Sequence, residues 1–362
     1  MTKLHPQNMI KIHVLYEHSQ TASPHGSSFI RLLLPLTYPT NQNTFLVSQG
    51  TSFQSADVII VERTWKSNIS LSAAEELVRK VRKNGACLIY SIDDNLLDLK
   101  FHAILQNELP NEKLMVIRYL AREADGIIVS THYLKQRLSV LNPNIFVVPN
   151  ALDERLVESR ISPQPETPNH QNSKKVIGYM GTRSHDDDLM MILQALRTTL
   201  KKYSGQLELQ LIGSIADISI LKAFNGLSVK VIDVAGNDKY PDFMRWMSQN
   251  VQWDLAIAPL EDNLFTRCKS DIKFLDYSAL AIPGIYSDVP SYQNTIRHLE
   301  TGYLAENHPQ AWIKAFDSLL NDHILRQKLA KQAQEYVLST RTLKHCAQDW
   351  QDAILAIINT LS

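Results

Sequence analysis

The sequence predicts an α/β protein of two doubly wound domains, each built on a parallel β-sheet with helices on both faces. Three observations lead to this prediction: a length of 362 residues, short apolar runs alternating with helical patterns, and one polar, proline-rich interruption. A chain of this length usually exceeds what one hydrophobic core serves, so two domains are expected. Runs that are apolar throughout are typical of strands buried on both faces, as in parallel sheets.

The first domain is predicted over residues 1–158. Helical patterns such as SLSAAEELVRKVRKNG separate its strands, and repeated strand–helix alternation is typical of a doubly wound sheet. The five strands predicted before residue 151 have the sequences IKIHVLY, DVIIVER, ACLIYSI, DGIIVST and NIFVVPN.

A linker is predicted over residues 159–175, where three prolines accompany a single apolar residue, Ile161. This composition cannot form a packed core. The second domain is predicted over residues 176–338, and a terminal helix over 339–362. The strands predicted in the second domain are KVIGYMG, LELQLIG, VKVIDVAG, WDLAIAPL and IPGIYSD.

Composition excludes several classes of protein. The chain has 37 Lys and Arg residues against 37 Asp and Glu residues, so a globally basic nucleic-acid-binding protein is not expected. Three widely spaced cysteines form neither a disulfide framework nor a zinc pattern. No apolar run is long enough for a signal peptide or a membrane span, so a cytoplasmic protein is expected.

The residues that follow the strands are the candidates for ligand binding, because ligands of doubly wound sheets bind beyond the carboxyl ends of the strands. Two such domains would place a cleft between their sheets. In the second domain, Gly181 and Arg183 follow the first strand, and Asp186 or Asp187 could cap a helix that begins near Asp188. This helix start would hold a phosphate, or the segment is a solvated loop.

A second candidate segment is KSDIKFLDYSALAIP, which follows the fourth strand of this domain. With Ser270 as the helix cap, Lys269, Lys273 and Asp276 lie on one face. Lys273 would then lie in the first helical turn, where the helix dipole disfavours a cation. A diphosphate bound at this helix end would explain the lysines. The alternative is a surface ion pair between Lys273 and Asp276, which would contribute little.

The segment KFLDYSALAIPGIYSD resembles the K-x-x-E-Y-x-A-x-G-x-P-V-I signature of the retaining nucleotide-sugar glycosyltransferases with the GT-B fold, often grouped as glycosyltransferase family 4. The segments VIGYMGTRSHDDDL, LELQLIGS and WDLAIAPL resemble strands of the donor-binding domain of that family. The resemblance covers about residues 174–340 and is weaker in the first domain. It implies two Rossmann-like domains facing across a cleft, with the last helix returning to the first domain.

The resemblance also implies roles for individual residues. Asp276 takes the position of the acid that binds the ribose hydroxyls of the donor. The residues that would hold the diphosphate are Arg183, Lys269, Ser270, Lys273 and Gly181. Fixed cations there would stabilise the charge that develops on a leaving nucleoside diphosphate.

The sequence departs from the family pattern at three positions. The signature acid is Asp276 rather than glutamate, and Ala281 replaces the usual glycine. Cys268 stands where many members carry a second glutamate near the donor sugar. The third departure raises an alternative function, a catalytically degenerate subunit that binds the donor and acts through a partner.

The acceptor side of the predicted cleft is assigned to the first domain. The segment HGSSFIRLLLPL resembles the Gly-Ser loop of the family, which selects Gly26 and Ser27. Asp93 and Asp94 follow a strand and either line the acceptor side or cap a helix in solvent. Arg63 ends another strand, and a surface salt bridge is an equally supported role for it.

The resemblance therefore implies a glycosyltransferase that moves a sugar from a nucleoside-diphosphate sugar to a glycan, lipid-linked or protein acceptor. The resemblance implies that the transfer retains the configuration of the sugar and requires neither a metal ion nor a cofactor. A nicotinamide-dependent oxidoreductase would require a glycine-rich fingerprint, which is missing from a chain with only 12 glycines. The basic helix ELVRKVRKNG is either a solvated face or a peripheral contact with the inner face of an anionic membrane.

Overall fold

A computed structural model describes residues 9–18, 22–66, 68–101, 111–161, 174–181, 186–213 and 218–361. The chain divides into two compact units. Unit 1 contains the described residues within Met1–Leu99, Leu109–Ala151 and Leu343–Ser362, and unit 2 contains those within Lys100–Glu108 and Leu152–Thr342.

Unit 1 is built on a six-stranded parallel sheet with the strand order β2-β1-β3-β4-β5-β6. One strand was absent from the prediction, because it lies at the edge of the sheet and its exposed residues interrupt the apolar run. That strand is β2. The bounds are β1 Ile10–Leu15, β2 Phe45–Gly50, β3 Val58–Glu62, β4 Cys87–Ile92, β5 Gly126–Val129 and β6 Ile145–Val147.

Unit 2 is built on a second six-stranded parallel sheet, with the order β12-β11-β10-β7-β8-β9. Its last strand was also absent from the prediction, because three residues are too few to show a pattern. The bounds are β7 Lys175–Met180, β8 Leu207–Ile212, β9 Val229–Ile232, β10 Leu255–Ala258, β11 Gly284–Ser287 and β12 Tyr303–Ala305. The two sheets confirm the predicted fold class of two doubly wound α/β units.

Helices connect the strands and cover the sheets. In unit 1 they are α1 Gly26–Ser28, α2 Leu34–Leu36, α3 Leu71–Lys83, α4 Asn111–Glu123 and α5 His132–Leu138, whereas α6 Glu158–Ile161 belongs to unit 2. In unit 2 they are α7 Asp186–Met191, α8 Leu193–Lys202, α9 Ile218–Ala223, α10 Tyr240–Asn250, α11 Ile272–Ala279, α12 Pro290–Gln293, α13 Pro309–Asn321 and α14 His323–Thr340. The last helix, α15 Leu343–Asn359, belongs to unit 1. No helix within the described part of the chain is long and apolar enough to cross a membrane.

Helix α15 packs on the sheet of unit 1 through a stripe of apolar residues at helical spacing. Trp350, Ile354 and Ile357 are buried in the same cluster as Ile12 of β1. A side chain at Gly126 would clash with this helix, since a Cβ there would lie 2.6 Å from Ile357 Cγ1. The burial of this stripe stabilises the attachment of the chain's last helix to the first sheet.

The predicted linker is described only at its two ends. Ser159, Arg160 and Ile161 belong to α6, and Arg160 Nε donates to Ser248 O at 2.7 Å. Lys175 is the first residue of β7. The proline-rich stretch between these ends lies outside the described residues.

Candidate functional site

The candidate site of unit 2 lies at the carboxyl ends of two adjacent strands. Strands β7 and β10 pair directly, and the chain runs from β7 toward one edge of the sheet and from β10 toward the other. Such a switch in strand order leaves a crevice in which doubly wound sheets bind their ligands. Gly181 directly follows β7, and the segment from Pro259 to α11 follows β10. The topology therefore brings together the two segments that were selected from the sequence.

Close backbone packing forms the β7 side of the site. Gly181 N donates to Ile212 O at 3.0 Å. Gly213 has a φ of 99°, and a Cβ there would lie 1.8 Å from Gly181 O. This position therefore requires glycine for both its conformation and its contact. Arg183, the other predicted residue of this segment, lies outside the described residues.

The start of α11 differs from the prediction. The helix begins at Ile272, with Asp271 rather than Ser270 at the N-cap position. The prediction of Ser270 as the helix cap is therefore wrong. The chain reaches the helix through a 3₁₀ turn, Thr266–Cys268, and an extended Lys269, which delays the helix start by one residue. The Asp271 carboxylate makes no capping bond and instead accepts two hydrogen bonds from Arg341, at 2.9 and 3.1 Å.

Lys273 lies in the first turn of α11, as predicted, but its environment is unexpected. Its side chain is only 8% exposed, and its Nζ atom makes no hydrogen bond to any residue that the structure describes. The nearest aromatic contact of Nζ is the Tyr179 ring, with the centroid 5.2 Å away. Burial lowers the pKa of Lys273 to about 8, although the nearby Asp188 acts to raise it. A buried ammonium without a hydrogen bond is costly, so an anion bound beside Lys273 would lower this cost.

Asp276 lies one turn further along α11 and is also buried, at 3% exposure. The predicted alternative of a surface ion pair with Lys273 is therefore wrong, because neither group is on the surface. Asp276 Oδ1 accepts a hydrogen bond of 2.8 Å from Tyr240 Oη. Burial raises the pKa of Asp276 to about 7, while the Tyr240 hydrogen bond opposes this increase.

The segment before α11 places the remaining predicted residues. Lys269 is half-buried, with Nζ 4.9 Å from the centroid of the Phe265 ring. Cys268 is buried, and its Sγ lies 3.5 Å from Leu264 O. Thr266 stabilises the turn, since its Oγ1 donates to Glu261 O at 2.6 Å. The thiol at this position adds no charged group to the site.

Three further residues of the site were missed by the sequence analysis. Asp188 was not assigned to the site, yet it is buried and its Oδ1 accepts from Glu261 N at 2.8 Å. This bond connects α7 to the segment after β10. Tyr179 and Tyr240 carried no signal, because a single tyrosine in a strand or at a helix start has no distinctive pattern.

The carboxyl end of α11 shows why glycine suits the signature position that Ala281 occupies in this chain. Ala281 N donates to Ser278 O and Ile282 N donates to Tyr277 O, each at 2.9 Å. These two bonds form a Schellman motif, which places one residue in the left-handed region. That residue is Ala281, with a φ of 54°. Glycine suits this position, and alanine adopts it with strain.

A polar cluster occupies the equivalent switch point of unit 1, between β1 and β3. Arg63 is bonded to three carboxylates: Asp93 at 2.7 Å, Asp94 at 2.8 Å and Glu17 at 3.1 Å. These groups are largely buried, with side chains of 12–22% exposure. Arg63 also has a φ of 45°, which is unusual for a residue other than glycine. Asp93 and Asp94 are thus held by an arginine at the sheet edge.

The predicted Gly-Ser segment lies beside this cluster. Gly26 and Ser27 are in the first helical turn of α1 rather than in a loop. The next serine makes the polar contact, since Ser28 Oγ donates to Glu62 Oε2 at 2.5 Å. Burial raises the pKa of Glu62 to about 7, and Arg63 acts to lower it. Ser27 Oγ is buried and makes no hydrogen bond to the residues described by the structure.

Comparison with known protein families gives a match over most of unit 2. Residues 174–322 match the sequence model of the family described as "Glycosyl transferases group 1". A comparison with curated protein sequences found no significant match.

Several solved structures share the fold of this chain. Sucrose-phosphate synthase from Thermosynechococcus elongatus superposes with a TM-score of 0.61 at 14% identity, over 84% of this chain and 74% of that one. HepE from Anabaena, in complex with UDP and glucose, gives 0.63 at 14% identity, over 96% and 100%. TarM from S. aureus gives 0.56 at 16% identity, over 82% and 55%.

These comparisons confirm the resemblance to GT-B glycosyltransferases that was identified from the signature. At such low identity the structural likeness establishes the fold alone. Membership of family 4 and retention of configuration remain predictions.

Proposed function

We propose that this chain transfers a sugar from a nucleoside-diphosphate sugar to an acceptor hydroxyl. The proposal is supported by the match of residues 174–322 to the glycosyl transferases group 1 model and by the GT-B fold. The acceptor would be a glycan, a lipid-linked glycan or a protein. The observation that carries the proposal is the buried Lys273 ammonium at the switch point of unit 2, which makes no hydrogen bond within the described part of the chain. A diphosphate would supply the negative charge that this position lacks.

The roles proposed for the site follow from its chemistry. Lys273, with Lys269 beside it, would neutralise the charge that the diphosphate gains as its bond to the sugar breaks. The backbone at Gly181 and at the start of α11 would complete the phosphate site, together with Ser270 and Arg183. Asp276 would accept hydrogen bonds from the ribose.

Transfer with retention is proposed in its simplest form. The bond between the anomeric carbon and the diphosphate oxygen breaks, and the acceptor oxygen bonds to the same face of the sugar. The acceptor proton passes to the departing phosphate oxygen, so no nucleophile from the protein is required. The described residues contain no group of three His, Cys, Asp or Glu side chains that could hold a metal ion. Activity without an added metal is a separate prediction, to be tested with EDTA.

The acceptor is proposed to bind at the polar cluster of unit 1. Asp93 and Asp94 are held by Arg63 and keep 16% and 22% of their side chains exposed. Carboxylates in such positions can accept hydrogen bonds from sugar hydroxyls. Gly26 and Ser27 lie at the start of the adjacent helix α1, so they would lie beside the bound acceptor.

The binding step is tested by thermal unfolding with UDP, GDP, TDP, ADP, CMP and NAD. A ligand present at about 100 times its Kd stabilises a protein by roughly 2.7 kcal/mol, which is readily measured. A shift with one nucleoside diphosphate is the expected result. A shift with NAD alone, or with none of the ligands, would contradict the proposal. Proton NMR of the sugar released from the matching nucleotide sugar then tests retention.

A second candidate function rests on Cys268. This buried thiol occupies the position at which the family signature carries an acid near the donor sugar, so the chain would bind the donor without transferring it. Both functions require binding of the donor, but only the transferase would release nucleoside diphosphate. Donor binding with no release of nucleoside diphosphate, across an acceptor panel, would favour the degenerate subunit.

A further inference from the structure

Tyr240 and Asp276 form an isolated buried contact within the proposed donor site. Tyr240 is the first residue of α10, after β9, and Asp276 lies in the middle of α11, after β10. Their side chains are 8% and 3% exposed, and Tyr240 Oη lies 2.8 Å from Asp276 Oδ1. Burial and the nearby Asp276 raise the pKa of Tyr240 well above its usual range. The phenol is therefore protonated and donates to the carboxyl group.

This contact leaves one oxygen of Asp276 available. Oδ1 accepts from Tyr240, while Oδ2 has no hydrogen bond to any residue that the structure describes. Oδ2 is also not one of the fully buried atoms without a partner, so it keeps some contact with solvent. One oxygen is thus anchored and the other is free to accept from a ligand.

The hydrogen bond from Tyr240 also affects the protonation state of Asp276. Burial favours the neutral form of Asp276, and the Tyr240 hydrogen bond favours the ionised form. Without the hydroxyl, the carboxyl group would lose its only observed donor and would rotate more freely. A neutral and mobile acid is a weaker acceptor for a ligand hydroxyl than a fixed carboxylate.

We propose that Tyr240 is a positioning residue that orients Asp276 so that its second oxygen accepts a hydrogen bond from a ribose hydroxyl of the donor. This inference rests on the proposed function, in which Asp276 binds the ribose. It assigns recognition of the ribose, as distinct from the diphosphate, to a pair of side chains from two different helices. The short reach of aspartate makes a fixed orientation more important at this position.

The test compares ribose selectivity in wild type and Tyr240→Phe. The probes are UDP, GDP and ADP, each with its 2′-deoxy and 3′-deoxy forms, and calorimetry gives the Kd values. Wild type should prefer one ribonucleotide over a deoxy form by about tenfold or more, as for a hydrogen bond to a charged group. Tyr240→Phe should reduce this ratio to near one. A residue with only a structural role would weaken both forms equally and leave the ratio unchanged.

Tyr303→Phe is the matched control. Tyr303 lies in β12, is also 8% exposed, and makes an edge contact with His298 rather than a side-chain hydrogen bond. This variant should keep the ribose ratio of wild type. In the double variant Tyr240→Phe with Asp276→Asn, the ratio should be no lower than in Asp276→Asn alone, because both changes act through the same carboxylate.

Each outcome decides between the two proposals. If nucleoside diphosphates bind and Tyr240→Phe keeps the wild-type ratio, the inference is overturned and the proposed function stands. If no nucleoside diphosphate binds to wild type, both fall. Should Tyr240→Phe fail to fold, a wild-type ratio in Asp276→Asn would overturn the inference, because the acid would then not read the ribose.

Discussion

Replacing Lys273 by methionine should stabilise the protein without ligand and remove its response to nucleotide. The pKa of Lys273 is lowered from 10.5 to about 8 by burial. At about 1.4 kcal/mol per pKa unit, holding the ammonium at neutral pH costs the folded state roughly 3 kcal/mol. Methionine fills the volume of the lysine stem without the charge. This figure is an upper limit, because Asp188 loses a nearby cation in the variant.

The effect depends on pH in a defined direction. Between about pH 8 and 10.5 the folded lysine is neutral while the unfolded lysine is still protonated. The unfolded state then binds more protons, so the stability of wild type rises with pH in this window. The advantage of Lys273→Met should be largest below pH 8 and should shrink toward pH 10.5.

The assay is thermal unfolding at pH 7 and pH 9.5, with and without the nucleoside diphosphate that binds best. At pH 7, Lys273→Met should melt higher by up to about 10 °C. Its affinity for that nucleotide should fall by about 10- to 100-fold, as expected for loss of a charge-assisted contact. Lys230→Met is the control, since Lys230 is exposed on the edge strand β9. A variant that is less stable than wild type and still binds nucleotide would refute the reasoning.

Two further predictions concern the polar cluster of unit 1 and the end of α11. Arg63→Met should destabilise the protein by about 3–5 kcal/mol at pH 7, because three carboxylates lose their buried partner. Urea unfolding at pH 7 should show this loss, and a loss below about 1 kcal/mol, as for a surface ion pair, would contradict the buried ion-pair explanation. Ala281→Gly should stabilise by up to about 1 kcal/mol by relieving the left-handed backbone at 54°. Ala279→Gly, at the last helical residue of α11, should destabilise, and the same sign for both glycine variants would exclude this account.

The fold could be predicted to a large extent because most strands of both sheets are buried on two faces. Such strands are continuous apolar runs, and their positions can be read directly. The two missed strands are those for which this reason fails. Only the first residue of the edge strand β2 is buried, and its other residues are partly or fully exposed, whereas β12 has only three residues.

The site could be predicted only in its location along the chain. Lys273 and Asp276 were selected because they follow a strand at a helix start, and the switch in strand order brings that helix beside Gly181. The helix start itself was wrong by one residue. Serine and aspartate are both favoured at the N-cap position, so residue preference does not distinguish Ser270 from Asp271. The conformation of the preceding turn decides which of them becomes the cap.

The sequence by itself determined the fold class, the strands buried on both faces and the signature that carries the charged residues of the site. These properties depend on neighbouring residues and on hydrophobic periodicity. Only the tertiary structure decided that Lys273 is buried without a hydrogen bond to any described residue, that Tyr240 donates to Asp276 and that Arg63 pairs with Asp93 and Asp94. The hydrogen bonds of Tyr240 to Asp276 and of Arg63 to Asp93 and Asp94 join residues that are 30 or more positions apart in the sequence. Burial and charge pairing across such distances arise from the packing of the whole unit, which local sequence does not encode.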